Sequence, residues 1–551
     1  MTGVGGGAGR LLGVMVTLLS LGLVACGSAA DKVFCGSSAD CDWSPEEWTK
    51  IAALANLPAP PVDTSNGFVA VPPAQTLGQK FFFDTRFSGT ATQVDNLKRP
   101  VLAAFARAPK GMPVLVSCAS CHDPNRAGID DVSPGGVSIG AGEFDVNAQP
   151  TTNSAYYTLL FWNGRSDSLW AQAVAANEGA VSMNSTRLHD AWVINDFYRT
   201  DYAATFPTYP LPLTGKSTDV QALLDTDPTR VGQCKLNTAG ACPTDQGCRE
   251  AKDTTATMTG CWPRFPLNGK PGSKAGCQPG DATEPFGDAW DCMVKDDQDQ
   301  VNRVFVNFGK AIAAYETELV SNDSAFDQFI GGGPGSAVIS SSAQRGARLF
   351  VGKAACSECH NTPLFSDNQF HNVGAPQTGH GVPTEADCPS GGVCDCVGTP
   401  ASTAPDGSVV AAKPAKNCLP WGARDGLSKL RANAFLRIST WSDNPSDDSR
   451  QVFLSDDTYP LDNVPKGAWR TPTLRDIALT GPYMHDGVYK SLADVVAHYN
   501  SGGDTNGEGI PAPQLRPLFL SDDEQADLVE FLKTLTGAPL PVELRTAPVL
   551  P

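Results

Sequence analysis

Cys118-Ala119-Ser120-Cys121-His122 and Cys356-Ser357-Glu358-Cys359-His360 decide how this chain reads. Each stretch has two cysteines three positions apart and a histidine directly after the second. Thiols at that spacing lie about one turn apart, so both can form thioethers to the two vinyl groups of one porphyrin. The adjacent histidine then falls under the iron as its proximal ligand. Zinc or thiol redox chemistry is the other use of paired cysteines. A shared four-cysteine zinc site leaves the histidine of each motif unexplained. A thioredoxin-like use wants a βαβ context, of which the sequence shows no sign. The pattern predicts two covalently attached c-type haems, one in each half of the chain.

Outward from the motifs, the other cysteines fall into groups. The chain has 17 cysteines. Cys26 ends the stretch Leu23-Val24-Ala25-Cys26, preceded by Arg10 and a mostly apolar run from Leu11 to Ala25. That run is short for a membrane span, which needs ~20 residues, and suits a secretory signal. The small residues before Cys26 resemble a bacterial lipobox, which predicts lipidation of Cys26 after cleavage. Cys35 and Cys41, six cysteines from Cys234 to Cys292, and four from Cys388 to Cys418 form local groups. In an exported chain they read as disulfides within each group, with the connectivity left open.

The organisation follows. Residues 1–25 read as signal peptide and 26–65 as a tether with a short helix around Pro45 to Leu57. Residues 66–225 read as an N-terminal haem domain and 226–300 as a Cys-rich insertion. Residues 301–340 read as a linking region whose helix, Asn302 to Val320, places Phe305, Phe308, Ile312, Tyr315 and Leu319 at helical spacing. Residues 341–540 read as a second haem domain, interrupted at about 384–420 by another Cys/Gly/Pro-rich loop. Its last helix starts at Ser521, with Glu524 completing a capping box, and Gly537 stops it. Strand signals are scarce. The expected fold is mainly α, with two cytochrome c-like domains, long loops and two disulfide-rich insertions. The net charge of -18 argues against nucleic acid and against a basic face for anionic lipid. Contact with a membrane is expected through the lipid anchor alone.

An ordered set of segments carries a resemblance. It comprises Leu77 to Asp84, Ser117 to Pro124, Phe161-Trp162-Asn163-Gly164-Arg165, Gly346 to His360, Pro363-Leu364-Phe365, Thr471 to Arg475 and Pro482 to Gly487. Together they resemble the bacterial di-haem cytochrome c peroxidase/MauG family over most of the chain outside the two insertions. The resemblance implies that His122 ligates the haem where hydrogen peroxide binds and that His360 ligates the haem relaying electrons. It implies that Trp162 lies between them, against a bland reading as core packing. It implies a calcium ion held by the Asn147 side chain and the Thr480 and Pro482 carbonyls, which are suitable hard ligands.

Three positions depart from the common pattern. Tyr499, fourteen residues after His485, stands where most di-haem peroxidases of the family carry methionine and MauG-like members carry tyrosine. Tyr499 is the favoured ligand of the His360 haem. The alternative is a buried, hydrogen-bonded tyrosine, with Met484 or nothing on the iron. Ala141 replaces a distal histidine of some members, which implies an open iron at His122. Gln172 matches a distal glutamine, but Ser182 occupies the place of the distal glutamate. Glu178, four residues earlier, is the candidate substitute acid/base, weighed against an ordinary surface glutamate.

The resemblance implies peroxide-dependent oxidation, with electrons from a small cytochrome c or cupredoxin, or MauG-like oxidation of a partner protein. The alternative is a non-catalytic di-haem electron-transfer lipoprotein; a dioxygen-using oxygenase is weaker. The expected location is the periplasmic side of a bacterial membrane, with the outer membrane favoured.

Overall fold

The computed structural model describes residues 43–551 apart from 96–97, 102–105, 131, 134–135, 251–259, 272–288, 447–449 and 505–509. Within 377–421 it describes only the backbone of four two-residue strands. The signal run, Cys26, Cys35, Cys41, Cys277, Cys388, Cys394 and Cys418 lie outside the described residues. Helices dominate, and the strands are short antiparallel pairs, such as Cys248–Glu250 with Cys261–Pro263 and Phe370–His371 with Trp469–Arg470. Among the described residues, no helix is long and apolar enough to cross a membrane.

Two hydrophobic cores organise the chain. The first is built on the helix Lys295–Glu316, which packs against Pro72–Phe83 and Leu169–Asn177. Phe81, Phe87, Tyr198 and Phe308 form an aromatic cluster at its centre. The second core pairs the helices Ser341–Val351 and Asp522–Lys533 around Phe326, Phe350, Phe365 and Phe531. Both crossings are close because a glycine lies at the contact. A Cβ on Gly78 would collide with the carbonyl of Ala311, and one on Gly346 with that of Asp527. Deep in the second core, Asp327 accepts hydrogen bonds from Arg475 Nη1 (2.8 Å) and Nη2 (3.1 Å).

The long helix begins seven residues before the expected start and ends at Glu316 rather than Val320. Its first two turns are polar, so apolar periodicity misses them. Asp296 and Asp297 suit that end because the helix N-terminus carries partial positive charge. The helix after Ser44 ends at Ala52, short of Leu57. The last long helix carries the expected capping box, with the Ser521 N–H donating to Glu524 Oε2 (2.9 Å) and the Glu524 N–H to Ser521 Oγ (3.3 Å). Disulfides Cys234–Cys248 and Cys242–Cys261 staple the first insertion locally, and Cys292 is also disulfide-bonded.

Candidate functional site

Each Cys-x-x-Cys-His motif lies on a tight turn in the wall of its own cavity. Cys118–Ser120 and Cys356–Glu358 are single 3₁₀ turns. They are closed by hydrogen bonds from the His122 N–H to the Cys118 carbonyl (2.9 Å) and from the His360 N–H to the Cys356 carbonyl (3.0 Å). These turns bring both thiols and the imidazole of each motif to one cavity. Among the described residues, Cys118, Cys121, Cys356 and Cys359 are the cysteines left out of disulfides. Burial pushes the Cys121 and Cys356 thiols up to about 12. A redox-active Cys-x-x-Cys pair has its thiol lowered instead, so enclosure here favours covalent attachment over thiolate chemistry.

The histidines are prepared as metal ligands. His122 Nδ1 lies 2.9 Å from the Gly128 carbonyl, and His360 Nδ1 2.6 Å from the Phe365 carbonyl. Burial lowers both rings below their ordinary value, which keeps them neutral. A neutral imidazole donating Nδ1–H to a carbonyl leaves Nε2 as the ligand nitrogen and fixes the ring's direction. The donor sets therefore fit two c-type haems.

The first cavity is lined by small and apolar residues, among them Gly140, Ala173, Ala176 and Ala180, with Gln172, Ser182 and Met183. Ala141 is buried beside Gly140 and lies outside the lining. Glu178 is a correction. It caps the end of Leu169–Asn177 and turns away from the cavity, toward Arg187. It accepts from the Arg187 N–H (3.1 Å), Nε (2.9 Å) and Nη2 (2.6 Å). A guanidinium at the start of the next helix outcompetes an apolar cavity for a carboxylate. The carboxyl that does line the cavity is Glu316, the last residue of the long helix, and among the described residues it is the one carboxyl there. Its Oε2 is buried without a partner, and burial pushes it up to about 8. The sequence carried a signal for it: Phe308, Ile312 and Glu316 share one helix face at four-residue steps, so a carboxyl continues an apolar stripe.

The second cavity contains Tyr499, Met484, His485 and His371 beside its motif. Burial raises the Tyr499 hydroxyl above its ordinary value. His371 is 2.7 Å from Asp367, and that hydrogen bond, followed by one to Cys359, raises it above its ordinary value. His485 stacks on Trp469 with ring centroids 4.2 Å apart. Trp162 lines both cavities. Its Nε1 donates to the Asn147 carbonyl (2.9 Å), and its own carbonyl accepts from the Arg470 N–H (2.9 Å). Asn147 Nδ2 donates to the Pro482 carbonyl at 2.5 Å, and Thr480 lines the same cavity. Of the three expected calcium ligands, Asn147 and Pro482 are thus in direct contact, and Thr480 shares their cavity. The direct amide–carbonyl contact leaves no room for an ion between those two groups unless the side chain turns.

The geometry agrees with what the chain is similar to. The family model described as di-haem cytochrome c peroxidase matches residues 72–225. The cytochrome-c peroxidase IdrP1 of Denitromonas iodatirespirans is 27% identical over 499 residues, covering 88% of this chain and 87% of the relative. The chain is thus similar over most of its length to the di-haem cytochrome c peroxidase/MauG family. It is an oxidoreductase of the di-haem peroxidase kind. The methylamine utilization protein MauG of Methylorubrum extorquens, another relative within this family, is 28% identical over 240 residues, 43% of this chain and 46% of that one. A solved structure titled as a MauG-like protein associated with microbial copper homeostasis is 20% identical. It has a TM-score of 0.48 and covers 89% of this chain and 97% of that one.

Proposed function

We propose that the chain is a di-haem peroxidase in which His122 would hold the haem that supplies peroxide chemistry, His360 would hold the haem that supplies electrons, and Trp162 would stand between them. The observation that carries this reading is the pair of cavities, each with one Cys-x-x-Cys-His motif whose imidazole Nδ1 is tied to a backbone carbonyl. When bound, the haems supply the peroxide and one-electron chemistry. The chain's residues do the rest. Ser117 to His122 and Ala355 to His360 orient the two imidazoles. The small residues of the first cavity leave room for a peroxide-sized ligand. Gln172 supplies an amide on that wall, and Glu316, protonated at neutral pH, holds the proton a departing oxygen needs. Trp162, common to both walls, provides the aromatic step between sites.

Tyr499, which lines the same cavity, would ligate the haem held by His360, and its phenolate would favour the ferric state. The ultimate electron source is a small donor protein, a cytochrome c or cupredoxin, or an oxidisable side chain of a partner protein. Asn147, Thr480 and Pro482 are assigned to calcium on the condition that Asn147 turns its Oδ1 to the ion. Loss of calcium to a chelator, read by metal analysis, tests that assignment. Export and lipid attachment at Cys26, on the periplasmic side and most naturally in the outer membrane, complete the reading. Cys26→Ser should release the protein from the membrane fraction.

The second reading is a non-catalytic carrier, favoured by Ser182 where a distal carboxyl is expected. Absorption and EPR of the ferric protein, before and after one equivalent of peroxide, separate the two. One high-spin and one low-spin haem with rapid reaction supports the peroxidase. Two low-spin haems inert to peroxide leave the carrier.

A further inference from the structure

Arg470 is a buried cation that the proposed reaction does not use. It is 1% exposed and ends the short strand Trp469–Arg470. Its guanidinium lies over the Tyr157 ring, 3.5 Å from the centroid, and Nη1 donates to the Thr471 carbonyl (3.2 Å). Nε and Nη2 are buried with no partner. No carboxylate pairs with it among the described residues. The side chain lines the second cavity, whereas the tyrosine beneath it lines the first. Arg470 therefore stands in the wall between the two haem sites, its backbone bonded to Trp162.

Burying a permanent charge with idle N–H groups is strongly unfavourable, and a guanidinium does not escape by losing its proton. A planar fork with two free donors is matched by a carboxylate. Haem carries two carboxylates as propionates, and the cavity that Arg470 lines is the one assigned to the His360 haem. We propose that Arg470 binds a propionate of that haem and, by its charge, raises the haem's reduction potential. The inference rests on the assignment of a haem to His360. A cation beside the porphyrin favours the state with one more electron, so removing it stabilises ferric iron and moves the potential negative.

The test is a spectroelectrochemical titration of full-length, haem-loaded protein as wild type, Arg470→Gln and Arg470→Lys, repeated with added acetate. Haem content per chain is measured alongside. The expected result is a negative shift of the His360 haem potential in Arg470→Gln and a smaller one in Arg470→Lys. The His122 haem should move less, and acetate should have no effect. Unshifted potentials in variants with two haems per chain overturn the inference. So does a larger shift at the His122 haem. A wild-type potential that responds to acetate, with the response lost in Arg470→Gln, also overturns it and assigns the fork to a soluble carboxylate. A wild type without haem at His360 instead removes the reading beneath. If Arg470→Gln fails to load haem, Arg470→Lys decides alone, and its unshifted potential overturns the inference.

Discussion

The two cavities are built alike as far as the histidine and differ beyond it. Both use a one-turn motif, two enclosed thiols and an imidazole fixed through Nδ1. Past that point the first cavity is lined by alanine and glycine, with Met183, Gln172 and one buried carboxyl. The Met183 sulfur is itself a hydrogen-bond acceptor, 3.9 Å from Asn177 Nδ2. The second cavity presents Tyr499, Met484 and His485 to the same space. The same attachment motif thus yields two sites of different character. The first wall carries Glu316, Met183, Tyr157 and Gln172; the second carries Tyr499, Met484, His485 and His371. Under the proposed function, a division of labour between the haems would rest on these walls and not on the motifs.

The harshest test of this contrast removes one imidazole at a time. His122→Ala should abolish peroxide turnover and the high-spin EPR signal while leaving the low-spin signal of the His360 site. Loss of the low-spin signal instead would reverse the assignment.

Next in size is the carboxyl. Glu316→Gln should lower the rate of peroxide reaction by about 10²–10⁴-fold, measured by stopped-flow absorption. Glu178→Gln should leave that rate near wild type, while costing about 3 kcal/mol of stability through the Arg187 it abandons. The pH profile gives the sign. Glu316 holds its proton below about 8, so its contribution should be present at neutral pH and fade as pH rises through that value. Equal losses in the two variants would break the distinction drawn between these glutamates.

A smaller effect is expected at the second cavity. Tyr499→Met replaces a ligand that favours ferric iron with one that favours ferrous. The potential of the His360 haem should rise, with little change at His122. Met484→Leu should leave both potentials in place. A response to Met484→Leu and none to Tyr499→Met would exchange the ligand roles.

The smallest effect on the contrast comes from outside both cavities. Despite burial, which works against it, the Arg475 hydrogen bonds hold the Asp327 carboxyl down at about 2. That pair stabilises the fold above the ordinary carboxylate value near 3.8, and its contribution should be lost as pH falls from there toward 2. Asp327→Asn should cost about 3–5 kcal/mol, seen in thermal melts at pH 7, without moving either haem's spectrum. A changed spectrum would show that the second core and its cavity are coupled.

Much of the chemistry was readable from short spacing. Two thiols and a histidine within five residues meet whatever surrounds them, because a single turn closes the motif. The Ser521 capping box and the local disulfides were readable for the same reason, since their partners are near in sequence. The start of the long helix was not, because its first turns are polar and carry no apolar period. Glu178 misled because position along a helix gives a direction only while the helix lasts, and this one ends at Asn177. Glu316 was half visible, as a charged residue continuing an apolar face.

The sequence by itself determined what is covalent and local: two attachment motifs, a mainly helical chain and a stapled first insertion. Only the tertiary structure decided which side chains share a cavity. It brought Glu316 to the first wall and Tyr499 to the second. It set Trp162 between them and left Arg470 in the partition with two donors unused. These relations join residues tens to hundreds of positions apart. They are fixed by how helices pack and where loops cross, and no periodicity or spacing along the chain records that.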